Sequence, residues 1–139
     1  MAHQVFTDGT FIWNSVNLSV HVREIHLTTR QTFTDDSNTM GNLGRKVLPV
    51  LEDYDLSVVF SQDFTSAMVD ATLAVDKESN TPRAWEVRPT SAVASATNPK
   101  WTGTGYISEY EALSGNFGEV LGTRVTIVPS VAGATRAIA

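Results

Sequence analysis

The sequence predicts a mainly β protein: a sandwich or barrel of about seven strands with one flanking helix and a long polar loop. Apolar and polar residues alternate along several segments, which is the pattern of half-buried strands. Clusters of Gly, Asn, Asp, Ser and Pro separate these segments and predict turns. One segment combines helix-forming residues with helical spacing. The length of 139 residues suits a single domain, residues 1–139, with one core.

The first predicted strands flank a turn. Asp8-Gly9 lies between apolar residues within Val5–Trp13 and predicts a short hairpin. In Val16–Leu27 the apolar residues alternate and then change phase at Arg23-Glu24. A β-bulge at that dipeptide would produce the change. Two separate strands that meet there would produce it equally well, and the sequence leaves both open.

A long polar segment follows, Thr28–Arg45, in which neither strand nor helix periodicity is visible. Asp, Ser, Asn and Gly residues dominate its second half, which is typical of loops. Loops of this length inside a compact domain are usually functional or form a mobile arm. The alternative is that the preceding strand continues to Phe33 and an ordinary loop follows.

The segment Lys46–Phe64 predicts the central strand. It begins with an apolar approach that contains a proline, KVLPVLEDY, and then alternates with a period of two. One predicted face is apolar and consists of Leu56, Val58 and Phe60. The other carries Asp55, Ser57 and Ser61, with Val59 as the one apolar exception.

The predicted helix lies in Thr65–Asn80, where Thr65 or Ser66 would provide the N-cap. Its expected apolar stripe consists of Met68, Ala71 and Val75, which would pack on the sheet. Three further strands are predicted beyond the helix, followed by a tail at residues 129–139 that needs a neighbour to become ordered. These strands are Ala84–Thr90 with Trp85 and Val87 inward, Trp101–Leu113 with Tyr106, Ser108 and Tyr110 opposite Ile107, Glu109 and Glu111, and Glu119–Val128 with Val125 and Ile127 opposite Arg124 and Thr126.

Composition narrows the functional classes. The chain is 42% hydrophobic and 18% charged, which is too apolar for a disordered protein. It contains no cysteine, so disulfides and thiolate metal sites are excluded. The net charge of −5 argues against tight, non-specific DNA binding, which requires a basic surface. No apolar run approaches the roughly 20 residues that span a bilayer, and we expect neither a signal peptide nor membrane insertion.

No catalytic or cofactor-binding motif is present, and we expect no enzyme activity and no cofactor. The histidines are His3, His21 and His26; the last two are expected on the polar face of one strand, too far apart to share a metal. The acidic pairs Asp35-Asp36 and Glu52-Asp53 lack the spacing of a calcium loop. We therefore predict no metal site.

Two stretches resemble the tail tube proteins of long-tailed, siphovirus-type bacteriophages. In the first, an LPVLEDY run leads directly into the strand DLSVVFSQDF. In the second, AWEVRPTSAVASATNPKWTGTGYISEYEALSGNFGEVLGTRVTIVPS, the order of phrases is that of the same family. The resemblance covers about Phe11 to Arg136.

The resemblance implies a β-sandwich whose copies form six-membered rings, which stack into a hollow tube. The tube would surround a tape-measure protein and later conduct DNA, without specific binding to either, and would meet tail tip and terminator proteins at its ends. The virion tail would be its location, after assembly in the host cytoplasm. The segment Thr28–Arg45 would be the loop that reaches the adjacent ring, and its expected contact residues are Phe33, Asp35, Asp36, Met40, Leu43 and Arg45.

The resemblance also implies hairpins that line the lumen. Glu109, Glu111 and Glu119 are the charged residues nearest the turn of the hairpin predicted in Trp101–Val128. If this hairpin lines the lumen, they would form a negative band that repels DNA phosphates. The alternative is that they lie on the outer surface or pair with Arg124 across the hairpin.

A different functional class is a β-sandwich binding module, such as a capsid decoration or carbohydrate-binding domain. A sugar-binding face needs a row of exposed aromatic residues, for which Trp13, Trp85 and Trp101 are the candidates. Tryptophans of this kind more often lie in the core or at a subunit interface.

Overall fold

The computed structural model describes residues 3, 6, 8–35, 41, 44–131 and 133–138. These residues form eight strands, one α-helix and one 3-10 turn at Ser19–His21. The strands are β1 (Thr10–Trp13), β2 (Val16–Asn17), β3 (Val22–Asp35), β4 (Val47–Ser61), β5 (Arg83–Arg88), β6 (Lys100–Ser114), β7 (Gly122–Pro129) and β8 (Thr135–Ala137), and the helix is α1 (Val69–Ser79).

All strands belong to one antiparallel sheet in the order β2-β1-β5-β6-β7-β4-β3, and β8 pairs with the start of β6. The mainly β class with one flanking helix is confirmed, but the sheet does not close into a barrel. It curls instead. Three strands separate β1 from β4, yet the Phe11 and Phe60 rings meet edge to face at 5.6 Å. Tyr54 of β4 and Trp85 of β5 meet in the same way at 5.2 Å.

The core fills the concave side of this curled sheet, and its residues come from alternating strand positions. Leu56, Val58 and Phe60 are fully buried, as the alternation of the central strand predicts. Their neighbours on the adjacent strand β7, Val125 and Ile127, are buried as well. Burial of each such side chain contributes roughly 1.5–3 kcal/mol, so these two strands contribute a large share of the stability of the domain.

The first strands differ from the prediction. The hairpin joins β1 to β2 through Asn14 and Ser15, whose φ angles of 50° and 66° fit a type I′ turn. Asp8-Gly9 precedes β1, and Val5 lies outside the described residues. The predicted strand at Val16–Leu27 is wrong in its first half, because the 3-10 turn interrupts it and leaves Val20 88% exposed. The β-bulge is confirmed by a register shift between Val22 and Glu24.

The predicted long loop is shorter than 28–45. The alternative is correct, since β3 continues past Phe33 to Asp35 and pairs with β4 along this whole length. The strand escaped detection because residues 28–35 are exposed on both faces. Because neither face of this segment is buried, its apolar and polar residues need not alternate, and the sequence shows no period of two there.

The helix begins later than predicted and turns a different face inward. Its N-cap is Met68, and its buried residues are Val69, Leu73 and Asp76. The predicted apolar stripe is wrong, since Val75 is 60% exposed. The charged Asp76 can lie on the buried face because its carboxylate accepts hydrogen bonds from Trp13 Nε1 at 2.8 Å and from Arg83 Nε at 3.1 Å.

The second half follows the prediction more closely. Trp85 and Val87 point inward from β5, and β7 has the predicted alternation but begins at Gly122 rather than Glu119. The predicted tail contains β8, which pairs with Lys100–Thr102. The tail was predicted to need a neighbour to become ordered, and this neighbour is β6 of the same chain.

Candidate assembly surfaces

The first candidate surface is the distal ribbon, which we define as residues 28–35 of β3 and 47–55 of β4. Because β4 pairs with β7 only from Leu56 to Ser61, this part of β4 has β3 as its sole strand partner among the described residues. An isolated two-stranded ribbon is marginally stable in water. Five large apolar side chains on this ribbon are between 39% and 64% exposed: Phe33, Val47, Leu48, Val50 and Leu51.

Polar contacts hold the base of the distal ribbon. Arg30 Nη2 lies 2.8 Å from Asp55 Oδ2 and 3.0 Å from Asp53 Oδ2. Hydrogen bonds to Asp55 and then to Asp53 raise the pKa of Arg30. Gln31 Nε2 donates to the Leu51 carbonyl at 3.0 Å. All these groups are exposed, so solvent screens the ion pairs, and they orient the two strands more than they stabilise them.

The residues predicted for the assembly loop fall into two groups. Phe33 lies on the distal ribbon with 56% of its surface exposed. Asp35 is the last residue of β3, opposite Val47, and Arg45 is exposed just before β4. The other predicted residues lie outside the described part of the chain; they are Asp36, Met40 and Leu43.

Sequence reasoning missed the apolar side of this ribbon. Val47, Leu48, Val50 and Leu51 were treated as an approach to the central strand, yet they belong to β4 and are exposed. The sequence did contain a signal for this surface. Directly before the alternating part of the strand there is a run of apolar residues that do not alternate with polar ones. Apolar residues on both faces of a ribbon that projects from the sheet indicate a contact surface.

The second candidate surface is the convex face of the sheet, where the predicted acidic residues lie. A register shift between Ile107 and Glu109 changes the phase of β6. Glu109 and Glu111 therefore lie on the same face as Tyr106, contrary to the predicted alternation, and are exposed. Glu119 is exposed on the turn between β6 and β7, where its carboxylate accepts from the Asn116 amide at 3.4 Å.

Arginines are interspersed among these carboxylates. Glu111 is the cross-strand neighbour of Arg124, and both line one groove with Glu119 and Arg23. The pKa of Glu24, on the same face, is lowered first by its hydrogen bond to His26 and to a smaller extent by Arg124 and Arg23. The face therefore carries mixed charge rather than an uninterrupted negative band.

The tryptophans do not form an exposed aromatic row. Trp13 and Trp85 are buried, and Trp101 packs partly against the core. Trp85 Nε1 donates to the Tyr54 hydroxyl at 2.9 Å, so its polar atom is satisfied inside the protein. This removes the basis for a sugar-binding face built from these residues.

The histidines are separate from one another. His26 is exposed on β3 and hydrogen-bonds Glu24, as expected for a strand histidine. His21 differs from the prediction, because it lies half-buried in the 3-10 turn with Nε2 3.3 Å from Met68 Sδ. Within the described ranges, no group of three His, Cys, Asp or Glu side chains could hold a metal ion. The helix in that part of the chain is too short and too polar to cross a membrane.

No protein-family model matches the sequence, and neither does any curated protein. Solved structures do match. A chain of the virion of a native gene transfer agent particle superposes with a TM-score of 0.73 at 11% identity, covering 97% of this chain and 99% of the other. The SPP1 tail tube matches with a TM-score of 0.66 at 13% identity, covering 95% and 77%.

The chain has the fold of the SPP1 tail tube structure. A third structure, the tail of an empty gene transfer agent particle with C6 symmetry, matches with a TM-score of 0.63 at 10% identity. It covers 86% of this chain and 82% of that chain. At these identities the likeness concerns the fold, and the assembly role must be argued from the surfaces described above.

Proposed function

We propose that the chain is a structural virion protein whose copies associate into six-membered rings, and that these rings stack into a phage tail tube. The distal ribbon carries this proposal. It projects beyond the sheet body, has β3 and β4 as its only strands in the described residues, and exposes five large apolar side chains. Contact with further copies would bury these side chains and cover the strand edges.

The fold supports the same role. Chains in a virion, in a tail with C6 symmetry and in the SPP1 tail tube share it over most of their length. The six-membered ring is taken from the C6 tail. The role is structural rather than enzymatic, and the main partner is a further copy of the chain.

Further partners follow from the tube itself. A tape-measure protein and DNA would occupy the lumen in turn without specific binding, and tail tip and terminator proteins would close the two ends. We place Glu109, Glu111 and Glu119 toward the lumen, where they would weaken attraction to DNA phosphates. The nearby Arg23 and Arg124 reduce this effect, so a partly balanced charge is expected on the channel wall.

Negative-stain electron microscopy of the purified, concentrated protein tests the proposal. We expect rings or tubes for the natural sequence. A double variant of the distal ribbon, Val50→Ser with Leu51→Ser, should remain folded and fail to assemble, because both side chains are more than half exposed. Val75→Ser, on the exposed face of α1, is the matched control and should assemble normally. Discrete monomers of the natural sequence at every concentration would contradict the proposal and favour a decoration module.

A further inference from the structure

A second apolar feature lies far from the distal ribbon, at the tip of the hairpin that joins β6 to β7. We call residues 113–121 the hairpin tip. The side chain of Phe117 is fully exposed there, and Leu113 and Val120 are 66% and 68% exposed. An aromatic ring left entirely in water at the end of a hairpin is typical of an anchor residue for a partner.

The hairpin tip is held in position rather than loosely attached. The Glu119 amide donates to the Asn116 carbonyl at 3.0 Å, which closes the turn. Gly118, at φ 89°, adopts a backbone conformation that suits glycine. At the base, the Gln62 amide donates to the Leu121 carbonyl at 2.8 Å and ties the hairpin to the end of β4.

A groove of about 350 Å³ lies at the other end of the domain, where the sheet fails to close. Ile25 and Leu27 of β3 form one wall, Val87 and Pro89 form the other, and Trp101 lies at the start of β6; the half-exposed Phe6 ring also lines the groove, and the volume given is the space left beside it. Ile25, Leu27 and Trp101 are only partly buried against the core. An apolar cavity of roughly 150 Å³ already accommodates benzene, so the groove can receive a phenyl ring.

The tip and the groove lie at opposite ends of the same strand. β6 runs from Lys100, beside the groove, to Ser114, at the tip. At about 3.3 Å per residue the two features are on the order of 40 Å apart. A chain therefore cannot insert its own tip into its own groove, and the contact must join two copies.

The charges around the two features are partly complementary, and they are secondary to the apolar contact because exposed ion pairs contribute little. Glu119 lies on the hairpin tip, where residues 113–121 contain no Lys or Arg, although Arg23 and Arg124 flank its base. At the groove end, Arg88 and Lys100 share one carboxylate, that of Glu86, at 3.2 and 4.0 Å. Arg136, cross-strand from Trp101, adds a further exposed cation beside the groove.

We infer that the hairpin tip of one copy inserts Phe117 into the groove beside Trp101 of the next copy. The contact joins two different surfaces, so it is a head-to-tail contact that can repeat from one copy to the next. This inference rests on the proposed function, and it names the contact that connects copies head to tail along the tube.

The absence of cysteine from the sequence permits a direct test by disulfide cross-linking. Asn116→Cys places a thiol on the tip and keeps Phe117, and Thr29→Cys places one at the rim of the groove. The double variant, assembled and then oxidised, should give a ladder of trimers and larger species on a non-reducing gel. The fraction of protein found in these species should be at least ten-fold higher than for the control pair, Asn116→Cys with Val75→Cys.

The following results support or overturn the inference. Adding Phe117→Ser to the cross-linking pair should lower the ladder at least ten-fold, while the circular dichroism melting curve stays unchanged because Phe117 is exposed. Tubes without a ladder, or a ladder equally strong in the control pair, would overturn this inference and leave the proposed function standing. Monomers without a ladder would overturn both.

Discussion

The two halves of β4 have the same backbone conformation but different surroundings. The second half, Leu56–Ser61, lies between β3 and β7 and buries Leu56, Val58 and Phe60 completely. The first half, Val47–Asp55, is the β4 side of the distal ribbon and exposes Val47, Leu48, Val50 and Leu51, whereas Tyr54 near its end is buried. In the second half the apolar side chains stabilise the monomer; in the first half they are exposed, and we propose that a further copy of the chain covers them.

This difference shows that apolar content alone does not identify the core. Burial in the second half requires a strand on each side and a concave face filled by Phe11, Trp85 and Ile127. In the first half only Tyr54, beside Trp85, reaches the core, and residues 47–52 have none of these neighbours. The comparison therefore predicts that substitutions in the second half affect folding, whereas those in the first affect assembly.

The largest expected effect separates the two halves directly. Phe60→Ala should lower the free energy of unfolding by about 3–5 kcal/mol, because it removes a fully buried ring and leaves a cavity. Leu51→Ala, in the exposed half, should change it by less than about 0.5 kcal/mol. Chemical denaturation of the monomer measures both. Equal losses would mean that the ribbon is packed in the monomer and that the comparison fails.

The second prediction concerns the connection at the end of the ribbon. Deleting residues 34–44 should abolish tubes and leave the domain folded, since loop length costs about 0.6 kcal/mol per doubling and the core half of β4 is untouched. Electron microscopy and thermal melting of the same sample measure the two properties. Tubes of normal length from the deletion variant would rule out an assembly role for this end of the ribbon.

The third prediction uses pH to examine the packing of Tyr110, a β6 residue that contacts Gln62 just beyond the core half of β4. The Tyr110 hydroxyl donates to Asp70 Oδ1 at 2.7 Å and accepts from Gln62 Nε2 at 3.1 Å. Burial, followed by the nearby Asp70 carboxylate, raises the pKa of Tyr110 from 10.0 to about 12. The folded state favours the neutral phenol, so its contribution is complete below about pH 10 and is lost as pH rises through about 12.

Tyr110→Phe provides the control for this titration. At about pH 8 the variant should be the less stable protein, because its hydrogen bonds are missing. The difference in unfolding free energy should shrink as pH rises above about 10, since only the natural protein has this phenol to titrate. A constant difference across that range would show that Tyr110 does not retain its proton in the folded state.

The smallest expected effect on stability belongs to the convex face. Replacing Glu109, Glu111 and Glu119 with Lys should change the melting temperature little, because all three are exposed. In a phage that carries this gene, assembly should continue and genome ejection should become slow at low salt, where attraction to phosphates is strongest. Normal ejection kinetics at low salt would place these residues outside the channel.

The same comparison explains what could be predicted from the sequence. Alternation identified Leu56, Val58 and Phe60 in β4, Trp85 and Val87 in β5, and Val125 and Ile127 in β7, because each lies on a strand with one buried and one wet face. It failed for residues 28–35 and for Val47–Leu51, where both faces are wet and no pattern separates them.

The other misses have equally specific causes. The inward face of α1 contains Asp76, whose partners Trp13 and Arg83 are distant in sequence and close only in the fold. The bulge in β6 changed the face of Glu109 and Glu111, because one unpaired residue reverses a period of two. The assembly contacts predicted for the long loop remain predictions for all six residues, of which Asp36, Met40 and Leu43 lie outside the described part of the chain.

Hydrogen–deuterium exchange of β4, measured in the monomer and in assembled particles, tests the central claim most directly. Amides of Leu56–Ser61 should exchange slowly in both states, because β3 and β7 flank them. Amides of Val47–Leu51 should exchange quickly in the monomer and become protected at least ten-fold on assembly. Equal exchange of the first half in both states would contradict the claim that the distal ribbon is an assembly surface.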